Sequence, residues 1–132
     1  MCRLQKHAKK EDEPWCAMFT WWCAQRAGYW GWADPGFAHC QQWCDWARHN
    51  GYLRCDPGYK PVPGDLFIKG PCTGWVCTHT GVVIGTDPGG RIITIEGNTS
   101  CPCGGTGIWH KKHPRFGGGY GIACYVHMPE HL

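Results

Sequence analysis

Residues 78–98 read THTGVVIGTDPGGRIITIEGN, and this stretch predicts a β-hairpin that decides the fold. Two apolar runs rich in β-branched residues are separated by Asp-Pro-Gly-Gly, which supplies turn residues. Because strands pair outward from the turn, His79 at the far end of the first run meets Glu96 near the far end of the second. The hairpin therefore brings an imidazole next to a carboxylate.

The chain before the hairpin has a helical period, and the chain around and after it is extended. Apolar residues recur at helical spacing over residues 15–26 and 37–47, which predicts two helices, with Gly28 ending the first. Helices followed by a run of antiparallel strands indicate an α+β fold with a sheet of about five to six strands. The predicted strands begin at Leu66 and cover residues 78–85, 91–98, 107–112 and 120–128.

Composition excludes several classes of protein. A chain of 132 residues, 42% hydrophobic and 17% charged, fits one folded domain over residues 1–132 and is not typical of a disordered protein. No apolar run reaches the roughly 18 residues of a membrane span. Residues 1–12 form a polar lead-in without the apolar segment of a signal peptide. The net charge of +3 without a block of Lys or Arg argues against nucleic acid, and we expect a monomer.

Eleven cysteines are the unusual feature of the composition. An odd count is consistent with one reactive thiol and ten cysteines that form up to five bridges, or with mostly reduced, buried thiols. Cys72 and Cys77 flank a short loop and are candidates for a bridge across it. Cys40 and Cys44 share a helix face, so we expect each to pair elsewhere.

Cys16 is the candidate nucleophile because it falls in the first turn of the first predicted helix. The unpaired N–H groups and the dipole of a helix N-terminus stabilise a thiolate. The same N–H groups can hold the oxyanion that forms when a thiolate attacks an amide. The alternative is that Cys16 is one half of a disulfide.

A nucleophilic thiol needs a base, and His79 is the candidate among eight histidines because it opens an apolar strand. Most of the other histidines lie in polar or terminal stretches and are predicted to be surface residues. Gly81 lies on the same strand face as His79 and leaves room beside it. Glu96 and Asn98 share a face and supply acceptors that can orient the imidazole. The alternative for His79 is a structural role at a strand end.

Four segments, in order, resemble the CHAP domains, the cysteine- and histidine-dependent amidohydrolases and peptidases. The helix start resembles the family's nucleophile segment, and the other three resemble its "PGDL", "HVGIV" and "EGN" strands, with Thr80 replacing an apolar residue. The resemblance covers about residues 13–128, and the four segments are Pro14–Phe19, Pro63–Phe67, His79–Ile84 and Thr94–Ser100.

The resemblance implies a papain-like (NlpC/P60-like) fold and a cell-wall hydrolase. Cys16 would be the nucleophile, His79 the base and later the acid, and Glu96 the residue that orients His79. Asn98 would share that role or line the site. The expected substrate is bacterial peptidoglycan, cleaved as an N-acetylmuramoyl-L-alanine amidase or as a stem or cross-bridge endopeptidase, outside the cell or in the wall. No cofactor is expected.

Three tryptophans are candidates for substrate binding, and one acidic segment is a candidate for calcium binding. Trp15, Trp75 and Trp109 are candidates for substrate binding, whereas Trp22 lies on the helix stripe and is expected in the core. Some CHAP domains bind calcium before the nucleophile, but residues 11–13 lack a suitable spacing of oxygen ligands.

Two other functions compete with the wall hydrolase. One is a disulfide-rich or zinc-binding wall-interaction module without catalysis, and the other is a papain-fold amidase with a substrate outside the wall. The zinc interpretation would use Cys101, Cys103, His110 and His113, although Cys-x-Cys is a poor spacing for a single zinc ion.

Overall fold

The computed structural model describes residues 16–28, 40–70, 77–100, 106–117 and 121–129. Within these residues two helices precede six strands, which confirms the α+β class. The elements are α1 (Cys16–Arg26), α2 (Cys40–Asn50), β1 (Leu53–Arg54), β2 (Leu66–Lys69), β3 (His79–Thr86), β4 (Ile92–Ser100), β5 (Thr106–His113) and β6 (Ile122–Val126).

Both predicted helices are present. After the first helix the chain turns at Gly28, whose φ of +101° is a conformation that favours glycine. This confirms Gly28 as the residue that ends the helix. In α2 the buried stripe includes Trp43, Cys44 and Ala47. The predicted helix starts at Pro14 and Asp34 lie outside the described residues. Neither of the two helices has the length and apolarity that crossing a membrane requires.

The six strands of the described residues form one antiparallel sheet in the order β1-β6-β2-β3-β4-β5. The predicted hairpin is confirmed as the β3–β4 pair, in which Val82 lies opposite Ile95. β1 was not predicted because two residues are too short to show a period. It pairs with β6 at the edge of the sheet.

Strand alternation divides the sheet into two faces. One face packs on the helices, with Leu66 and Ile68 in the same buried cluster as Trp43. The opposite face carries a second cluster that includes Phe67 and Val83. His79, Gly81 and Val83 are two residues apart along β3, so His79 belongs to this second face at the very start of its strand. A side chain at the start of β3 can reach the N-terminal end of α1, where Cys16 lies.

The prediction that Trp22 lies in the core is wrong. Its side chain is 41% exposed, whereas Phe19, one turn earlier, is 3% exposed and contacts the sheet residue Ile95. Trp22 stacks on Phe19 with ring centroids 6.4 Å apart, and the Arg26 guanidinium lies 4.9 Å from its centroid. The helix stripe is narrower than its apolar residues suggest, because only the side towards the strands is covered.

Disulfides occur, but not where the sequence placed one. Cys55 is bonded to Cys124 across 69 residues, which joins the segment after β1 to β6. In the chain-entropy model, closing a loop of that size stabilises the fold by about 4 kcal/mol. Cys44 is also disulfide-bonded. Cys77 is a free thiol, so the predicted bridge to Cys72 is wrong.

Asp65, the acidic residue of the Pro-Gly-Asp-Leu segment, holds the start of β2 in place. Its carboxylate is 1% exposed and accepts hydrogen bonds from the Tyr59 hydroxyl at 2.5 Å and the Val62 N–H at 3.1 Å. Its other oxygen lies 2.9 Å from Nδ1 of His127, just after β6. These bonds tie three separate segments together and give Asp65 a structural role.

Gly81 is predicted to be the glycine of β3 that tolerates no side chain. A Cβ there would lie 2.6 Å from Phe67 and 2.8 Å from Glu96. We therefore expect Gly81→Ala to lower the free energy of unfolding by about 1–3 kcal/mol through overpacking. Gly85→Ala, in the same strand, meets no atom within 4 Å and is the matched control. Equal urea midpoints for the two variants would contradict the prediction.

Candidate active site

Cys16 and His79 meet where the N-terminus of α1 approaches the start of β3. Cys16 is the first residue of its helix and His79 the first of its strand. Each side chain shifts the pKa of the other through hydrogen bonding and charge, which places the two groups side by side. Both groups are largely buried, with Cys16 2% exposed and the His79 side chain 15% exposed. The structure therefore brings the predicted nucleophile and base into direct contact.

Glu96 holds the far side of the His79 ring. The Nε2 atom of His79 lies 2.8 Å from Oε1 of Glu96, whose side chain is fully buried. An ionised carboxylate can only accept, so His79 carries a proton on Nε2, and Nδ1 is the ring nitrogen that is left for Cys16. The space beside Gly81 is filled by the Glu96 side chain and the Phe67 ring.

The surroundings favour the charged form of Cys16. A hydrogen bond from Cys40, together with the hydrogen bond and positive charge of His79, lowers the pKa of Cys16 to about 4 against the opposing effect of burial. The unpaired N–H groups at the start of α1 act in the same direction. These interactions together favour the thiolate form of Cys16.

His79 and Glu96 are both held in their charged forms. Burial disfavours the imidazolium, but hydrogen bonds to Cys16 and Glu96 and their negative charges raise the pKa of His79 to about 9. Burial also disfavours the Glu96 carboxylate, but hydrogen bonds from His113, His79 and Thr94 hold its pKa well below the usual range. The site is thus a thiolate–imidazolium pair backed by a buried carboxylate.

The other free thiols of the described residues differ from Cys16. Cys16, Cys23, Cys40 and Cys77 are free. Burial raises the pKa of Cys23 to about 11 and that of Cys77 to about 11. The hydrogen bond to Cys16, followed by burial, raises the pKa of Cys40 well above the usual range. Only Cys16 in this group combines a lowered pKa with a neighbouring histidine, which is what a nucleophilic cysteine requires.

Cys40 is a neighbour of Cys16 that the sequence did not reveal. Its thiol donates a hydrogen bond to the Cys77 carbonyl oxygen at 2.9 Å. It also lies close enough to Cys16 for each to shift the pKa of the other. Cys40 is a free thiol, so the expectation that it pairs with another cysteine is wrong, and it lies beside Cys16 instead.

His113 and Thr94 were also missed as members of the site. His113 is one of the histidines in a polar stretch, but its Nε2 atom is hydrogen-bonded to Oε2 of Glu96 and its side chain is 13% exposed. Thr94 donates to the same oxygen at 2.5 Å. Alternation along β5 was a possible signal, but the register that sets His113 opposite Ile92 arises only from strand pairing.

The remaining predicted site residues are placed only in part. Trp109 lies opposite Glu96 in the β4–β5 pair and is 37% exposed, so it borders the site. Asn98 belongs to β4, two residues after Glu96, and its side chain lies outside the described part of the structure. Trp15, Trp75 and the acidic residues 11–13 also lie outside it.

The described residues do not support the zinc interpretation. His110 and His113 lie opposite Ile95 and Ile92 in the register, three residues apart, and so occupy opposite faces of β5. Cys101 and Cys103 fall outside the described ranges. Within those ranges, no group of three or more His, Cys, Asp or Glu residues is arranged to hold a metal ion.

A thiolate paired with an imidazolium that a buried carboxylate orients is the arrangement of nucleophilic cysteine sites. Comparison with known families agrees with this class. The CHAP domain model matches residues 8–98, more than half of the chain, and includes Cys16, His79 and Glu96. The chain belongs to the CHAP domain family. No curated protein and no solved structure gives a significant match.

The pH dependence of Cys16 alkylation tests this ion pair. At pH 6, a thiol with the ordinary pKa of 9.0 is only about 0.1% thiolate, whereas a pKa of about 4 leaves Cys16 almost fully ionised. We expect the rate of alkylation by iodoacetamide, read by peptide mass spectrometry, to rise through about pH 4 and then reach a plateau. Because the imidazolium loses its proton near pH 9, a second change is expected there.

The control for this experiment is Cys23, in the same helix, whose alkylation should become fast only near its pKa of about 11. A single rise of the Cys16 rate near pH 9 would show that the thiol is not paired with His79.

Proposed function

We propose that this protein is a cysteine-dependent hydrolase that cleaves an amide bond of bacterial peptidoglycan. The observation that carries the proposal is the contact of Cys16 with His79, itself bonded to buried Glu96. Membership of the CHAP family supports peptidoglycan as the substrate class. The bond is that of an N-acetylmuramoyl-L-alanine amidase or of a stem or cross-bridge endopeptidase.

The reaction proceeds in two steps. The Cys16 thiolate attacks the amide carbonyl carbon, and N–H groups at the start of α1 stabilise the oxyanion. The tetrahedral intermediate collapses as His79 gives its proton to the leaving amine, which leaves a thioester on Cys16. His79 then takes a proton from water, the hydroxide attacks the thioester, and the acid product leaves with Cys16 again a thiolate.

Glu96 keeps the His79 ring in the orientation that this exchange needs. Its carboxylate holds the Nε2 proton and stabilises the imidazolium. We further propose that Asn98 shares this role or lines the site. Trp109 borders Glu96 with an exposed indole that suits contact with a sugar or peptide. Trp15 and Trp75 are proposed for the same purpose from the sequence alone.

The wider setting is proposed on the same basis. The two helices against an antiparallel sheet, with the thiol at a helix start and the imidazole on a strand, support a papain-like fold. We propose a single catalytic domain that acts as a monomer without a cofactor, outside the cell or in the wall, where its substrate lies.

Release of fragments from purified peptidoglycan tests the function. We expect the wild type to release fragments with new termini, and Cys16→Ala to lower the rate at least about 1,000-fold, because the nucleophile is lost. Fragment masses distinguish a new L-Ala amino terminus, produced by an amidase, from a terminus within the stem or cross-bridge. Cys23→Ala, seven residues along the same helix, is the matched control and should keep wild-type activity.

Three outcomes would contradict the proposal. Equal cleavage by the wild type and Cys16→Ala would show that another group performs the reaction. An inactive wild type whose Cys16 is free and reactive towards iodoacetamide would favour the amidase with a substrate outside the wall. An inactive wild type whose Cys16 does not react with iodoacetamide would favour the wall-interaction module without catalysis.

A further inference from the structure

Glu96 has two hydrogen-bonding ends, and only one of them faces His79. Oε1 accepts from His79, and Oε2 accepts from His113 on β5 and from Thr94 on β4 itself. The carboxylate is therefore held from three strands of the sheet. Because the side chain of Glu96 is fully buried, every donor that it loses leaves a charged oxygen without water to replace the bond.

Thr94 and His113 hold Oε2 in different ways. The Thr94 hydroxyl can rotate about its Cβ–Oγ1 bond, and it donates to Glu96 at 2.5 Å with the Lys111 carbonyl oxygen as a more distant acceptor at 3.4 Å. His113 presents an N–H on a rigid ring instead. Without it, the carboxylate could turn about its last side-chain bond, and His79 would lose the partner that fixes its ring.

The Phe67 ring packs against both His79 and His113. Its ring centroid lies 5.8 Å from that of His79 and 5.4 Å from that of His113. The two imidazoles thus pack on one aromatic ring and bond to one carboxylate. Lys69 is the neighbouring cation on β2. Burial lowers its pKa, against the opposing effect of the Glu96 charge.

We propose that His113 is a positioning residue, which acts through Glu96 to hold the His79 ring towards Cys16. The inference deepens the proposed function and rests on it where reaction rates are measured. His113 is bonded to the oxygen of Glu96 that His79 does not use, so its effect is on the orientation of the base and not on the reacting atoms. The catalytic unit then extends over β3, β4 and β5.

The test compares His113→Leu, which removes the donor, with His113→Gln, whose amide N–H can reach Oε2. For His113→Leu we expect kcat on solubilised peptidoglycan to fall about 10-fold with KM nearly unchanged, as for loss of a supporting hydrogen bond behind a functional group. For His113→Gln we expect a rate within about 3-fold of the wild type. Thr94→Val removes the rotatable donor and should give a smaller loss of kcat, because the rigid His113 ring still holds Oε2.

His110→Leu is the matched control, since His110 is the same residue type on the opposite face of the same strand. The second readout is the alkylation rate of Cys16 at pH 7, which requires no wall substrate. We expect it to fall in His113→Leu and to recover in His113→Gln. If the wild type cleaves no peptidoglycan, the proposed function fails while alkylation still reports whether His113 supports the ion pair.

A purely structural role predicts a different pattern. It would give His113→Leu and His113→Gln a lower urea midpoint, with kcat and Cys16 alkylation of the folded protein unchanged, and this result would overturn the proposal. Equal losses in His110→Leu would overturn it as well. If His113→Leu does not fold, Thr94→Val and His113→Gln decide: unchanged alkylation and kcat in Thr94→Val would count against a carboxylate positioned through Oε2.

Discussion

The buried carboxylate of Glu96 is the constraint on which the site depends. A charge without exposure to water is tolerated only when each oxygen has donors, and here the donors come from three different strands. The sheet must therefore have its register correct before the carboxylate can be ionised. Once it is ionised, it acts with Cys16 to raise the pKa of His79, and His79 acts with the hydrogen bond from Cys40 to lower the pKa of Cys16. The charge state of Cys16 thus depends in part on the pairing of β3, β4 and β5.

Gly81, Phe67 and Asp65 all help to keep the Glu96 carboxylate in position. Gly81 has no side chain because Glu96 and Phe67 occupy the space where one would lie. Phe67 gives both histidines an apolar wall and excludes water from their bonds with Glu96. Asp65 fixes the start of β2, the strand that carries Phe67, through a separate set of hydrogen bonds. Packing and electrostatics are therefore coupled here, since a shift of β2 would disturb both.

The cysteines show how one residue type takes different roles in one chain. Cys55 and Cys124 form a bridge that restrains the unfolded chain, whereas Cys23 and Cys77 are thiols whose charged forms are disfavoured by burial. Cys16 differs because a helix start and an imidazolium lie next to it. The distinction is not visible in the composition, because a disulfide-forming cysteine and a reactive cysteine are the same residue type in the sequence. It is decided by what each sulfur contacts.

The sequence by itself determined the hairpin, its turn and the contact of His79 with Glu96, because pairing outward from a tight turn leaves few registers open. It also indicated that Cys16 lies near the start of the first helix and, through four short segments, indicated the family. Tertiary structure alone decided that His113 reaches Glu96, that Cys40 reaches Cys16 and that Trp22 is exposed. The first contact joins β5 to β4 and the second joins the two helices, and the exposure of Trp22 depends on which side of α1 is covered. Their geometry is set by the packing of the sheet and helices, which no local pattern encodes.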